Sequence, residues 1–264
     1  MRSRRVDTSG KRYAVVSCHV ERPLDDHVWA AFARVQERRP GGFAVAALLR
    51  PPDVTAGEDE RVWLERAHAC AGRGPLGHHT HWTSPTHARP TTETGDPGAR
   101  VLHEGRRLRE HGVEATLFCG GGWYTDASVA AACAALGYSD CTPRARRPPS
   151  LDGDAAWAEL AAPARLRLAS RRVLVAVPTT HSVGDLVRAL SRPGGLAGEL
   201  VHVYFHDTDL LDARRRLVLM AALRLLALRR TPARLDDVAA DAASRAPELD
   251  WTAVARRGAG PAPQ

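Results

Sequence analysis

The sequence predicts an α/β fold in which parallel strands are joined by crossover helices, as an open sheet or as a barrel. Three observations predict it. Short apolar, β-branched runs alternate with helical patterns six or seven times, and such alternation gives parallel strands with helices between them. No repeat of fixed period and no clear linker divides the 264 residues, a length that one large domain can fill. With 44% hydrophobic and 25% charged residues, the chain can bury a core without covalent staples. This composition excludes a disordered tail, a collagen-like chain and a disulfide mini-protein.

The elements follow in order. Residues 13–20 form an apolar run with the length and β-branching of a buried strand. Asp25 and Asp26 suit a helix start, and Val28, Trp29, Phe32 and Val35 follow at helical spacing before Pro40-Gly41-Gly42 stops them. A second buried strand is predicted over 43–49, a helix over 58–71, and a third strand over 76–81. A loop rich in Thr, Pro and His then runs to Gly98. A helix over 98–111 ends at Gly112, a strand covers 114–118, and three glycines (Gly120, Gly121, Gly122) break it. An alanine-rich helix over 128–136 and a short strand over 138–141 come next. Residues 144–172 read as a long loop with one short helix. A strand over 173–177, a helix over 183–190, a strand over 200–206, and helices over 212–229 and 235–243 complete the fold. The tail beyond Trp251 reads as frayed.

The formal charge of +7 is made almost wholly of arginine, since Lys11 is the single lysine among 37 basic residues. The basic runs, such as Arg144/Arg146/Arg147 and Arg214 to Arg216, are scattered and not interleaved with aromatics, so they read as solvated faces rather than a nucleic-acid surface. Five cysteines without a CxxC pair argue against a disulfide framework and a zinc ribbon. No apolar run is long enough for a signal h-region or a membrane span. A cytoplasmic protein is expected.

In α/β folds of either kind the ligand site forms at the C-terminal ends of the strands. That filter selects Cys18-His19-Val20-Glu21, His78-His79-Thr80-His81-Trp82, Cys119 with the glycines and Trp123-Tyr124, and His206-Asp207-Thr208-Asp209. His79 and His81, two apart in a strand, face one side and can approach one ion. A catalytic centre needs about three protein ligands. The third is expected to be a carboxylate or a histidine, with Glu21 the nearest candidate at a strand end and, once the family likeness below is considered, Asp25 and Asp26 as alternatives. His206, beside Asp207 and Asp209, is placed as a general acid. His202, inside the same strand, reads as a satisfied core residue. Cys119 reads as an inert buried thiol. Trp82, Trp123 and Tyr124 are either faces on which a sugar ring stacks or core aromatics.

These segments resemble the polysaccharide deacetylase (NodB-homology, carbohydrate esterase family 4) proteins, in a divergent branch. The likeness rests on Gly77-His78-His79-Thr80-His81-Trp82-Thr83-Ser84-Pro85, on Phe118 to Asp126 with Ala135 to Asp140, and on Val203-Tyr204-Phe205-His206-Asp207. It runs from about Val15 to Leu228. The resemblance implies a single distorted (β/α)7 barrel and a divalent metal, usually zinc, held by one carboxylate and two histidines, with water attacking an acetyl carbonyl. Carried over, His79, His81 and Glu21 would hold the metal, His206 would be the acid, and His19 would stand at the base position. Trp82, Trp123, Tyr124 and Asp207 would contact substrate. Two departures matter: His19 replaces the family's acidic base, and Cys119 replaces the arginine that fixes it.

The chain is thus expected to have a flexible N-terminus (1–12), a barrel domain (13–245) and a tail (246–264). The expected function is metal-dependent removal of an acyl group from a sugar or related small amide. The alternative is a catalytically altered relative that binds a saccharide at the same mouth. Neither nucleic acid nor membrane is an expected partner.

Overall fold

The computed structural model describes residues 12–83, 95–149, 151 and 153–257. The expected flexible N-terminus lies outside the described residues except for Arg12, and so do Ser84 and Pro85 of the histidine segment. The first strand, β1 (Tyr13–Val20), is buried along its whole length, as expected of a strand covered on both faces. Helix α1 (Asp26–Arg38) opens on Asp25, whose carboxylate accepts from the His27 and Val28 N–H groups. The pattern repeats through β2 (Ala46–Leu49), α2 (Glu60–Arg73), β3 (Leu76–Thr80), α3 (Pro97–Glu110) and β4 (Leu117–Gly120). Helices α2 and α3 likewise start on aspartate caps, Asp59 and Asp96. Helix α4 (Ala127–Ala135) and strand β5 (Ser139–Asp140) come next.

Residues 144–172 differ from expectation. Two strands lie there, β6 (Trp157–Ala158) and β7 (Ala164–Arg167), and no helix does among the described residues. Their apolar positions are few and short, but Trp157, Leu160, Leu166 and Leu168 are all buried, so tertiary contact rather than local pattern orders the segment. The chain continues with β8 (Val173–Ala176), β9 (His181–Ser182), α5 (Val183–Leu190) and β10 (Leu200–His206). It ends with α6 (Ala213–Ala227), β11 (Thr231–Pro232), α7 (Leu235–Arg245), β12 (Glu248–Asp250), α8 (Trp251–Val254) and β13 (Ala255–Arg256).

Packing therefore does not stop at residue 245. Strand β12 pairs with β7, β13 pairs with β6, and Trp251 and Val254 are buried in the core. The Gly, Pro and Ala content of the terminus hides this, because one tryptophan and two ion-paired strand residues anchor it: Arg165 meets Glu248 and Arg167 meets Asp250.

Eleven strands form one sheet in the order β12-β7-β8-β5-β4-β3-β2-β1-β10-β9, with β11 also on β1, and β6 and β13 form a separate two-stranded sheet. All pairings from β9 to β8 are parallel, whereas β7 runs antiparallel to β8. The segment between β8 and β9 bonds first to one side and then to the other: Val177 N–H donates to Asp140 O (2.9 Å) and Thr180 N–H to His202 O (3.0 Å).

Period-two alternation sorts the side chains. Ala14, Val16, Cys18 and Val20 of β1, with Val201, Val203 and Phe205 of β10, pack against α1, α2, α5 and α6. Tyr13 and Val15 of β1 belong instead to an inner cluster with Leu48, Leu117, Cys119, Trp123 and Leu200. Leu235, Val238, Ala239 and Ala242 of α7 cover that cluster near the strand starts. The same face turns polar at Ser17 and His202, within β1 and β10, and at His19 and His79 near the strand ends, and all four are buried. Gly77 makes this arrangement possible on β3: a Cβ there would lie 2.4 Å from Leu48 Cδ2 and 2.9 Å from Leu117 Cβ.

Among the described residues no helix is long and apolar enough to cross a membrane.

Candidate metal centre

Strands β1 and β10 run side by side with His19 opposite His206, and β3 brings His79 opposite Cys119 of β4. Four imidazoles thus converge at one end of the sheet. The His19 ring lies 4.7 Å from His79 and 5.3 Å from His206, and the His79 and His81 rings are 5.0 Å apart. Glu21 reaches into the group from the residue just beyond β1. Its Oε1 lies 3.6 Å from His206 Nε2, 3.8 Å from His81 Nε2 and 4.0 Å from His79 Nε2.

Glu21, His79 and His81 each offer a ligand atom within 4.8 Å of the others. Donors about 2.0–2.1 Å from a tetrahedral ion stand roughly 3.4 Å apart, so the set needs only a small contraction to close on a cation. The His79 ring is already set for that role. Its Nδ1 donates to the Cys119 carbonyl at 2.8 Å, which leaves the Nε2 lone pair towards Glu21, and no hydrogen-bond partner among the described residues meets that buried atom. An imidazole held by a backbone carbonyl through one nitrogen is the usual preparation for ligation through the other. Burial, with His81 alongside, keeps the His79 pKa well below its ordinary value, so the ring is in the neutral form that metals require. The residues present fit a divalent cation.

Asp25 and Asp26 are not part of the set. The Asp25 side chain caps α1, and Asp26 pairs with Arg66. Of the three carboxylates considered, Glu21 alone faces the histidines.

His206 and His19 divide in character. Burial opposes the charged form of His206, but Asp209 and Glu21 outweigh it and raise its pKa above the ordinary value. Asp209 Oδ2 lies 3.8 Å from His206 Nδ1 and accepts the His206 backbone N–H at 3.1 Å. The His206 contact in turn lowers the Asp209 pKa to about 2, helped by Arg215, whose Nη1 donates to it at 2.9 Å. His19, by contrast, is buried: burial first, then His79, His206, His202 and Arg144 push its pKa well down. A proton placed on His19 would be buried beside Arg144 and a protonated His206. That weighs against the base role the resemblance implies.

The expected substrate contacts need correction in three places. Asp207 is wholly buried and its carboxylate accepts the backbone N–H of Arg22 (2.8 Å) and of Thr208 (2.8 Å). It ties the end of β1 to the end of β10 and is not available to a ligand. Trp82 is 2% exposed and its Nε1 donates to Gly121 O at 2.8 Å. Tyr124 packs edge-on against Trp82 and its hydroxyl donates to Asp126 at 2.6 Å. Trp82 is a core aromatic and Tyr124 is half-buried against it, and both pack with the cluster around Phe118 and Val129 rather than with His19. Trp123 does reach the site, with its ring 5.2 Å from His19, and its backbone adopts a left-handed φ of 67°. That conformation is unusual for a bulky residue and is held by the surrounding packing.

Two residues at the site were missed. Tyr204 stacks 5.3 Å from His19 and meets Trp123 edge-on at 4.7 Å. Its position two before His206 on a strand was a legible signal, because alternation puts both on one face. Arg144, read from sequence as a solvated charge, sets its Cζ 4.3 Å from the Trp123 ring centre and 5.1 Å from that of Tyr204. Nothing local in the sequence marks it.

The neighbouring residues of the histidine segment serve the scaffold. His78 points to the opposite face of β3, where its Nε2 meets Glu104 Oε2 at 2.8 Å, and Thr80 and Arg100 bond the same carboxylate. His202 is satisfied by Ser17 Oγ at 2.9 Å, as expected. Cys119 is buried and burial pushes its thiol pKa up, which disfavours the thiolate. A cleft of about 680 Å³ starts at Tyr204, His206 and Asp209 and continues between α5 and α6 past Val187 and Val218.

No protein-family model matches the chain, and no curated protein sequence matches it. Among solved structures, the 4-alpha-glucanotransferase of Thermococcus litoralis aligns with a TM-score of 0.51 at 10% identity, over 91% of this chain and 42% of that one. The likeness is one of fold. This chain spans less than half the length of that enzyme. A family 4 carbohydrate esterase from Streptomyces lividans, in complex with acetate, aligns with a TM-score of 0.44 at 12% identity, over 95% of this chain and 98% of the other.

Proposed function

We propose that the chain is a metal-dependent hydrolase that removes an acyl group from a saccharide or related small amide. The observation that carries this reading is the triad of Glu21, His79 and His81, with the His79 tautomer set by a buried carbonyl. The sheet is read as a distorted barrel, its edges brought together by residues 177–182, which hydrogen-bond to β5 on one side and β10 on the other.

Glu21, His79 and His81 would hold the cation, zinc or a similar ion. Such an ion, when bound, polarises an acyl carbonyl and acidifies water. His206 is the proton donor: Asp209 favours its protonated form, and its Nε2 faces the same space as the metal ligands. It would deliver that proton to the departing amine or alcohol. His19, kept neutral, serves as a hydrogen-bonding wall through its Nε2, which is buried and meets no hydrogen-bond partner among the described residues. Trp123, 7% exposed, and Tyr204 line the centre beside His19 and shield it from bulk water.

Metal analysis of untagged protein tests this directly. About one equivalent of a divalent metal is expected, lost in His79→Ala and in His81→Ala. His206→Ala should keep the metal and lose turnover on acetylated sugars. Less than about a tenth of an equivalent, with no uptake of added zinc or cobalt, refutes the reading.

A further inference from the structure

Arginines of this chain that are packed inside the fold mostly find oxygen. Arg50 forks onto Glu58, Arg100 meets Glu104 and the Trp82 carbonyl, and Arg230 donates to three carbonyls near Leu196. Arg144 follows this rule only in part: its guanidinium donates to the Tyr204 hydroxyl. It is half-buried, its Nη1 is fully buried, and that nitrogen has no hydrogen-bond partner among the described residues. No carboxylate among those residues pairs with it. Besides that hydroxyl it has two aromatic rings, Trp123 and Tyr204, beneath its guanidinium.

Leaving a buried donor of a charged group unpaired costs more than a neutral one, and stacking on aromatic faces offsets only part of that. The stacking does fix the plane of the guanidinium. A planar, pre-oriented fork of donors suits a carboxylate or a phosphate, which it can bind through two parallel hydrogen bonds. The placement suits a ligand group as well. Arg144 follows β5 at the strand end of the sheet that carries the histidines, and both rings beneath it touch His19. A ligand whose acyl group sits at Glu21, His79 and His81 would reach Arg144 across the Trp123 and Tyr204 rings.

We propose that Arg144 is an anion receptor that makes the site selective for acylated substrates carrying a carboxylate or phosphate group. This rests on the hydrolase reading for the position of the acyl group, but not for the charge preference itself.

The test is calorimetric binding of three probes to the metal-loaded protein: N-acetylglucosamine, which is neutral, its 6-phosphate, and N-acetylmuramic acid, which carries a carboxylate. Hydrogen bonds to a charged group are worth about 1.5–3 kcal/mol, so at least one charged probe should bind wild type about tenfold or more tighter than the neutral one. The stronger of the two identifies the anion. Arg144→Gln should bring that ratio to within about twofold while metal content is unchanged. Arg144→Lys, which keeps charge and ring contact, should lose several-fold affinity for the charged probe alone. Equal binding of neutral and charged probes to wild type overturns the proposal, and so does no measurable binding of either charged probe. A preference that survives in Arg144→Gln also overturns it. If Arg144→Gln does not fold, Arg144→Lys decides: a parallel fall for all probes makes Arg144 a packing residue. Protein that binds no metal yet keeps an Arg144-dependent charge preference would sink the hydrolase reading and leave this one standing.

Discussion

Asp140 on β5 is the clearest case of a buried charge that the fold tolerates at a cost, and Asp140→Asn measures that cost. The carboxyl is fully buried, Oδ1 accepts the Thr142 N–H at 2.8 Å, and Oδ2 has no hydrogen-bond partner among the described residues. Burial raises its pKa from 3.8 to about 6, against the Thr142 hydrogen bonds, which lower it. A folded-state pKa above the unfolded one means that the folded state holds the proton more tightly. Its contribution to stability is therefore most favourable below pH 3.8 and is lost as the pH rises through about 6. At ~1.36 kcal/mol per pH unit, the full loss is about 3 kcal/mol, of which about 1–2 kcal/mol falls between pH 5 and 8. Asparagine keeps the Oδ1 acceptor and does not titrate. Urea unfolding of both proteins at pH 5, 6, 7 and 8 should show the variant gaining about 1–2 kcal/mol relative to wild type across that range. Comparing the change with pH removes the fixed cost of burying an amide. Parallel stability curves for the two proteins would refute the reasoning.

Three further outcomes are expected. Gly77→Ala, whose Cβ would press on Leu48 and Leu117, should cost about 1–3 kcal/mol in urea unfolding and weaken cation binding at His79, which shares its strand. No change in either measurement would show that β3 has room to shift. Trp82→Phe and Tyr124→Phe remove buried or half-buried hydrogen bonds to Gly121 and Asp126 and should each lower stability by about 1 kcal/mol. Saccharide affinity should stay unchanged in both, and a clear fall would return these rings to the binding face. His202, whose pKa burial lowers from 6.5 to about 3, binds its proton more weakly in the fold than in the unfolded chain. It contributes stability above pH 6.5 that is lost progressively towards pH 3, so His202→Gln should flatten the acid limb of the stability curve. An unchanged limb counts against a neutral buried His202.

Much of the fold was legible because its signals are local. Strand β1 is an unbroken apolar run, and aspartate caps open α1, α2, α3, α4 and α6. Strand ends also pointed to Glu21, His79, His81 and His206, since alternation along a strand decides which side chains share a face. Where the segment was short the signal failed: β6 and β7 have two and four residues, and their ordering comes from contacts with β8, β12 and β13.

By itself, then, the sequence determined the parallel α/β arrangement, the end of the sheet that carries the site, and the pairing of His79 with His81. Only the tertiary structure shows which carboxylate lies beside them, that Asp207 and Trp82 are buried in the scaffold with Tyr124 packed on Trp82, and that burial pushes the His19 pKa down. It alone brought Arg144 over Trp123 and Tyr204. The reason is physical. Periodicity says which way a side chain points within its own element, but burial, electrostatic surroundings and hydrogen-bond partners depend on neighbours far away in the chain. His19 and His206 sit opposite each other on adjacent strands, yet deeper burial among histidines and Arg144 at one and carboxylates around the other drive their proton affinities apart.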